Sequence, residues 1–194
     1  MPLSAPVARE PLTRRTITCE GFARADGLLE IEGHLVDQRS FDQGNEWRTV
    51  KAGGPIHDMW MRLTIDQNLV IRAVESTTDS APYPSCREVT PNFQRLVGLG
   101  ITGGFKQEMR SRVGHTAGCT HIVVLLDVLA GVAVQTIAAI RFKTGSGDAL
   151  EVFGARDRTK PPLIDSCYSY AADGPVVRRL WPAHYRPPSS DDPE

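Results

Sequence analysis

The chain has 194 residues, enough for one domain with a full hydrophobic core. Its composition, 41% hydrophobic and 23% charged, is that of an ordinary folded protein, and a net charge of −1 leaves no basic footprint for a nucleic acid. The opening Met1-Pro2-Leu3-Ser4-Ala5-Pro6 lacks the pattern of a secretory leader, and the most apolar stretch, residues 122–140, is interrupted by Asp127, Gln135 and Thr136. A cytoplasmic protein is therefore expected, with neither nucleic acid nor membrane as a partner. The four cysteines, Cys19, Cys86, Cys119 and Cys167, are widely spaced and read as free thiols.

Residues 1–12 read as a flexible arm, 13–186 as a single domain and 187–194 as a disordered tail rich in Pro, Ser and Asp. From Arg14 the pattern is strand-like through Ala23. Asp26-Gly27 then gives a hairpin turn into a partner strand over 28–37. Residues 38–55 are polar and read as a long loop. Next, Met59, Met61, Leu63 and Ile65 alternate with Trp60, Arg62, Thr64 and Asp66, which puts the two sets on opposite faces of a strand. Asp66-Gln67-Asn68 turns the chain into a fourth strand over 69–76, followed by a proline-stiffened loop over 79–89.

Helices follow. Thr90-Pro91 opens one that glycines end at Gly98 and Gly100. Phe105, Met109 and Val113, four apart, mark a second. Ile122, Leu125, Leu126, Leu129, Val132 and Ala133 form the stripe of a third, over about 120–140. A short helical turn fits 164–170. Strands followed by helices predict an α+β fold, an antiparallel sheet of about four strands with helices packed on one face.

The densest chemistry is His115-Thr116-Ala117-Gly118-Cys119-Thr120-His121, at the start of the third helix. Free N–H groups and the positive end of the helix dipole favour a thiolate there. The run is compatible with a capped helix holding a packed thiol, with metal-free catalysis, or with a metal site needing further ligands, for which Cys86, Asp79 and His57 are candidates. His57 and Asp58 are strand neighbours and so face opposite ways. Tyr83, with Asp79 and Cys86, lies in the stiff loop, and Trp60 and Arg62 can share a sheet face with Arg72 to hold an aromatic or anionic group.

Ala52-Gly53-Gly54-Pro55-Ile56-His57-Asp58-Met59-Trp60, Ala81-Pro82-Tyr83-Pro84-Ser85-Cys86, Thr90-Pro91-Asn92-Phe93-Gln94-Arg95-Leu96-Val97-Gly98 and Gly118-Cys119-Thr120-His121 together resemble the bacterial domain of unknown function 2889 family, over roughly residues 12–186. Such families are met among genes for aromatic or acyl-CoA metabolism, and the resemblance implies that setting. At the level of fold, the order of elements is also similar to iron–sulfur scaffold and sulfur-acceptor proteins. Cys86 would match the first loop cysteine and Cys119 the cysteine at the last long helix, while the scaffold family's middle cysteine has no counterpart.

The resulting expectation is a lyase that uses no cofactor and acts by acid/base chemistry on an aromatic, phenylpropanoid or lignin-derived compound, releasing a small fragment such as formaldehyde. His57 or His121 is the candidate base, Tyr83 the acid, and Arg62 or Arg95 the anion holder. Trp60, Asp79 and His115 are candidate substrate contacts. The alternative is a scaffold or accessory protein binding Zn, Fe or sulfur through Cys119, Cys86 and histidines. A homo-oligomer is compatible with either.

Overall fold

The protein is described by a computed structural model covering residues 3–145, 160–161 and 163–187. The tail expected over 187–194 falls outside it from residue 188 onward, while residues 3–12 of the expected arm are exposed. The chain divides into two compact units, Met1–Thr136 and Ile137–Glu194.

The first unit is built on four long strands, β1 (Thr13–Ala23), β2 (Leu29–Arg39), β5 (Pro55–Ile65) and β6 (Ile71–Ser80), antiparallel in the order β1-β2-β5-β6. The Asp26-Gly27 hairpin forms as its sequence demands. Gly27 takes φ 84°, and the Asp26 carboxylate accepts the Leu28 N–H. The expected loop over 38–55 also holds a two-stranded ribbon, β3 (Gln43–Gly44) and β4 (Thr49–Val50). Its turn is closed by Asn45, whose side-chain oxygen accepts the N–H groups of Trp47 and Arg48.

Strand alternation sorts the sheet into two faces. Leu29, Ile31 and Leu35 of β2 and Met59, Met61, Leu63 and Ile65 of β5 are buried on the inner face. Each residue directly opposite another across a pair shares its face, so Ile17, Cys19 and Gly21 of β1 belong to the same side. Helix α1 (Phe105–Val113) buries Phe105, Met109 and Val113, the residues whose four-residue spacing announced it. The segment opened by Thr90-Pro91 is a 3-10 helix, Thr90–Leu96, rather than an α-helix. The chain after it is pinned to the sheet edge, where Gly98 N–H bonds the Ile71 carbonyl and Val70 bridges Gly100.

Helix α2 (Thr120–Thr144) runs four residues past its expected end, and its part within the first unit, up to Thr136, lies on the inner face. It is long and apolar enough, by length and composition, to cross a membrane. Its stripe Ile122, Leu125, Leu126, Leu129 and Ala133 is buried, so sheet packing already accounts for that face. Contact is close at glycines. A Cβ at Gly33 would lie 2.9 Å from both Leu125 Cδ1 and Leu129 Cδ2. Gly33→Val should therefore push the helix off the sheet and cost about 1–3 kcal/mol of stability, read as a lowered urea midpoint with unchanged slope.

The second unit has a small core of Ile164, Ala172, Val177 and Trp181, with Leu163, Tyr170 and Tyr185 packed against it. Helix α3 (Pro175–Leu180) supplies Val177 to this core.

Candidate active site

At one end of the inner face the apolar rows give way to charge. Arg15 of β1 stands directly opposite Asp37 of β2, and Asp37 directly opposite His57 of β5. All three occupy inward positions of the same alternation that buries Leu29, Ile31 and Leu35. The Arg15 guanidinium grips the carboxylate with two bonds, Nε to Oδ1 and Nη2 to Oδ2, both 2.7 Å. His57 Nδ1 lies 2.9 Å from Asp37 Oδ2. Asp37 is only 6% exposed, so these partners replace the water it has lost.

The first turn of α2 completes the group. His121 stacks on His57 with ring centroids 3.7 Å apart and planes 30° from parallel. Its Nε2 is 3.8 Å from Asp37 Oδ2, and its Nδ1 is 3.8 Å from Cys119 Sγ. Cys119 caps the helix with its backbone, its carbonyl accepting the Val123 N–H at 2.9 Å. Gly118 makes this turn feasible through space rather than through φ. A Cβ there would lie 1.8 Å from the Val113 carbonyl oxygen. Gly118→Ala should thus displace the turn carrying Cys119 and His121 and lower stability by about 1–3 kcal/mol. The check is a thermal melt together with loss of the ring-current shift between the two histidines.

Burial opposes ionisation of Asp37, but the Arg15 hydrogen bonds and charge, joined by His57, outweigh it and hold the carboxyl below its usual range. Burial pushes His57 below its ordinary value. The Asp37 bond works the other way, and the charges of Arg15 and Arg39 add to the lowering. Burial, then repulsion from His57, lowers His121, with Asp37 opposing. Both rings therefore favour the neutral form more than a free histidine does. An ionised Asp37 can only accept, so His57 Nδ1 carries the proton and Nε2 keeps a lone pair.

The arrangement also has the spacing of a metal site. One ligand atom each from Asp37, His57 and His121 lies within 4.8 Å of the others, and this set contains neither Cys86 nor Cys119. The donor chemistry fits an ion poorly. Asp37 Oδ1 already takes Arg15, and Oδ2 takes both Arg15 and His57. A cation would face a guanidinium and would compete with the N–H donors that Asp37 already serves.

His57 and His121, both expected from sequence, are thus brought together. Asp58 turns the other way, as its adjacency to His57 required, and meets His34 at 2.7 Å on the outer face. Trp60 and Arg62 follow it there. Trp60 stacks on His34 with centroids 3.7 Å apart, and Arg62 bonds Glu32 and Glu75. Alternation therefore separates Arg62 and Trp60 from the His57 cluster. Arg72, expected to join them, pairs with Asp66 instead.

Tyr83 is exposed, edge-on to Trp47 at 5.3 Å, and Cys86 lies in the 3-10 turn Pro84–Arg87. Asp79 is exposed and accepts the Thr77 hydroxyl, and Arg95 is exposed on the 3-10 segment. His115 is exposed at φ 51°. Among the described residues, no hydrogen bond or ion pair links His115 to the cluster. Arg15 and Asp37 were missed. The signal available for them was parity, a charged residue at an inward position at the end of an otherwise apolar alternation.

A family model described as "Protein of unknown function (DUF2889)" matches residues 13–135, which include every member of the cluster. No curated protein and no solved structure matches the chain. The likeness to iron–sulfur scaffold and sulfur-acceptor proteins draws no support from these comparisons.

Proposed function

We propose, for a chain that belongs to the DUF2889 family, a lyase without a cofactor that cleaves a C–C bond in an aromatic, phenylpropanoid-type compound and releases a small aldehyde such as formaldehyde. The observation carrying this reading is the carboxylate-oriented His57, its Nδ1 bound to Asp37 at 2.9 Å and His121 stacked against it. His57 Nε2 removes a hydroxyl proton from a hydroxymethyl group. The oxygen lone pair forms the aldehyde C=O as the C–C bond breaks, and the released pair passes into the conjugated aromatic side. The proton that His57 has gained is then returned there, with the stacked His121 the second imidazole in reach to relay it. Tyr83, exposed beside Trp47, is replaced in that role. The aromatic substrate class is what the family resemblance implies.

Purified protein should release a trappable aldehyde from at least one member of a panel of phenolic compounds bearing a hydroxymethyl group. An empty panel, or equal release by a His57→Gln variant, would sink the lyase reading. A second reading, an ion held by Asp37, His57 and His121, has ligand spacing in its favour and the Arg15 fork against it.

A further inference from the structure

β1 is an edge strand, hydrogen-bonded to β2 on one side, and among the described residues no strand pairs with its other side. It is 11 residues long. Edge strands are commonly protected by proline, by a bulge, by shortness or by charged side chains. β1 has only the charges, at Arg14, Arg15 and Glu20. Thr13–Ala23 contains no proline, and its pairing with β2 runs without a register shift from Thr13↔Arg39 to Ala23↔Leu29.

The sequence along this edge is self-complementary in one antiparallel register. With Ile17 on a two-fold axis, Arg14 of each copy falls opposite Glu20 of the other, Thr16 opposite Thr18, and Leu12 opposite Phe22. Arg14, Thr16, Thr18, Glu20 and Phe22 are even-numbered residues of β1 and share its outer face, and Leu12 directly precedes the strand. Leu12 is 55% exposed and Phe22 41%, large apolar groups that this register would pair. Arg14 and Glu20 are exposed, and among the described residues no ion pair engages them. The two-fold makes every favourable pair occur twice. On the inner face Ile17 meets its own counterpart.

We infer that the free edge of β1 is the pairing surface for a second copy of this chain, joining two four-stranded sheets into one of eight strands. The inference does not depend on the lyase reading. Each end of the paired edge places one charge on its opposite, and a change of sign at either position turns both contacts repulsive.

The test uses the full chain and sedimentation equilibrium over a range of concentrations. The wild type should be a dimer. Arg14→Glu alone and Glu20→Arg alone should each raise the dimer dissociation constant by about tenfold or more. An equimolar mixture of the two variants should recover wild-type affinity as a mixed dimer, because Glu meets Arg at all four positions. Both positions are exposed, so circular dichroism should show all species folded. A wild type that stays monomeric at high micromolar concentration would overturn the inference. A dimer indifferent to both variants, or a mixture that fails to recover, would overturn it too.

Discussion

Replacing His57 by glutamine should lower the rate of aldehyde release by about 10²–10⁴-fold, the usual worth of a positioned general base. Glutamine has similar reach and can still donate to Asp37 Oδ2, so the Arg15–Asp37 pair keeps its neighbour and the fold should persist. The loss should fall on kcat more than on KM, since the group acts on a proton in flight. The same residue sets the pH profile. Its pKa is depressed, first by burial, so the neutral base survives acidification past the ordinary histidine value of about 6.5. Wild-type activity should hold through that value and decline only below it. A rate already falling as pH drops from 8 to 7 would speak against His57 as the base.

Asp37→Asn should damage both activity and stability. The amide cannot accept from both branches of the Arg15 fork and from His57 as well, and it no longer fixes which His57 nitrogen holds the proton. Activity should fall by about 10–10³-fold, because the base remains but its tautomer and orientation are lost. Removing a buried acceptor that serves a charged donor costs about 1–3 kcal/mol. The lower end is expected, since the Arg15 side chain is 41% exposed and regains water.

The sign of the pH effect follows from linkage. Asp37's folded pKa is depressed, so its contribution is present above the unfolded value of about 3.9 and disappears as pH falls through the lower folded value. The gap in melting temperature between wild type and Asp37→Asn should accordingly close in strong acid. The two histidines are also depressed in the folded state. Below about 6.5 the unfolded chain takes up their protons first, so wild-type stability should fall with acidification from there and be level above it. Thermal melts of both proteins across that range check both statements.

The fold was legible because its signals were local and repeated. The alternation through Met59, Met61, Leu63 and Ile65 defined the faces of β5, Asp26-Gly27 defined the first hairpin, and the stripe from Ile122 to Ala133 defined α2. The small β3–β4 ribbon escaped because two-residue strands have no period to read. The site was half legible. His57 and His121 stood out as imidazoles beside structural junctions, but 64 positions separate them, and only α2 crossing the sheet stacks one ring on the other. Arg15 and Asp37 look like ordinary surface charges until three strands are aligned in register. Conversely, Arg62 and Trp60 look close to His57 in sequence, and strand alternation puts them on the other side.

The acid/base site centred on His57 and Asp37 is built from protein groups alone. This is tested most directly by measuring aldehyde release after exhaustive chelation, with elemental analysis confirming the absence of metal and the active phenolic compound as substrate. Metal-free protein should keep its full rate, and His57→Gln should lower it by the same 10²–10⁴-fold, roughly, under those conditions. A rate that disappears on chelation and returns with one equivalent of a divalent ion would contradict this reading and assign Asp37, His57 and His121 to the ion.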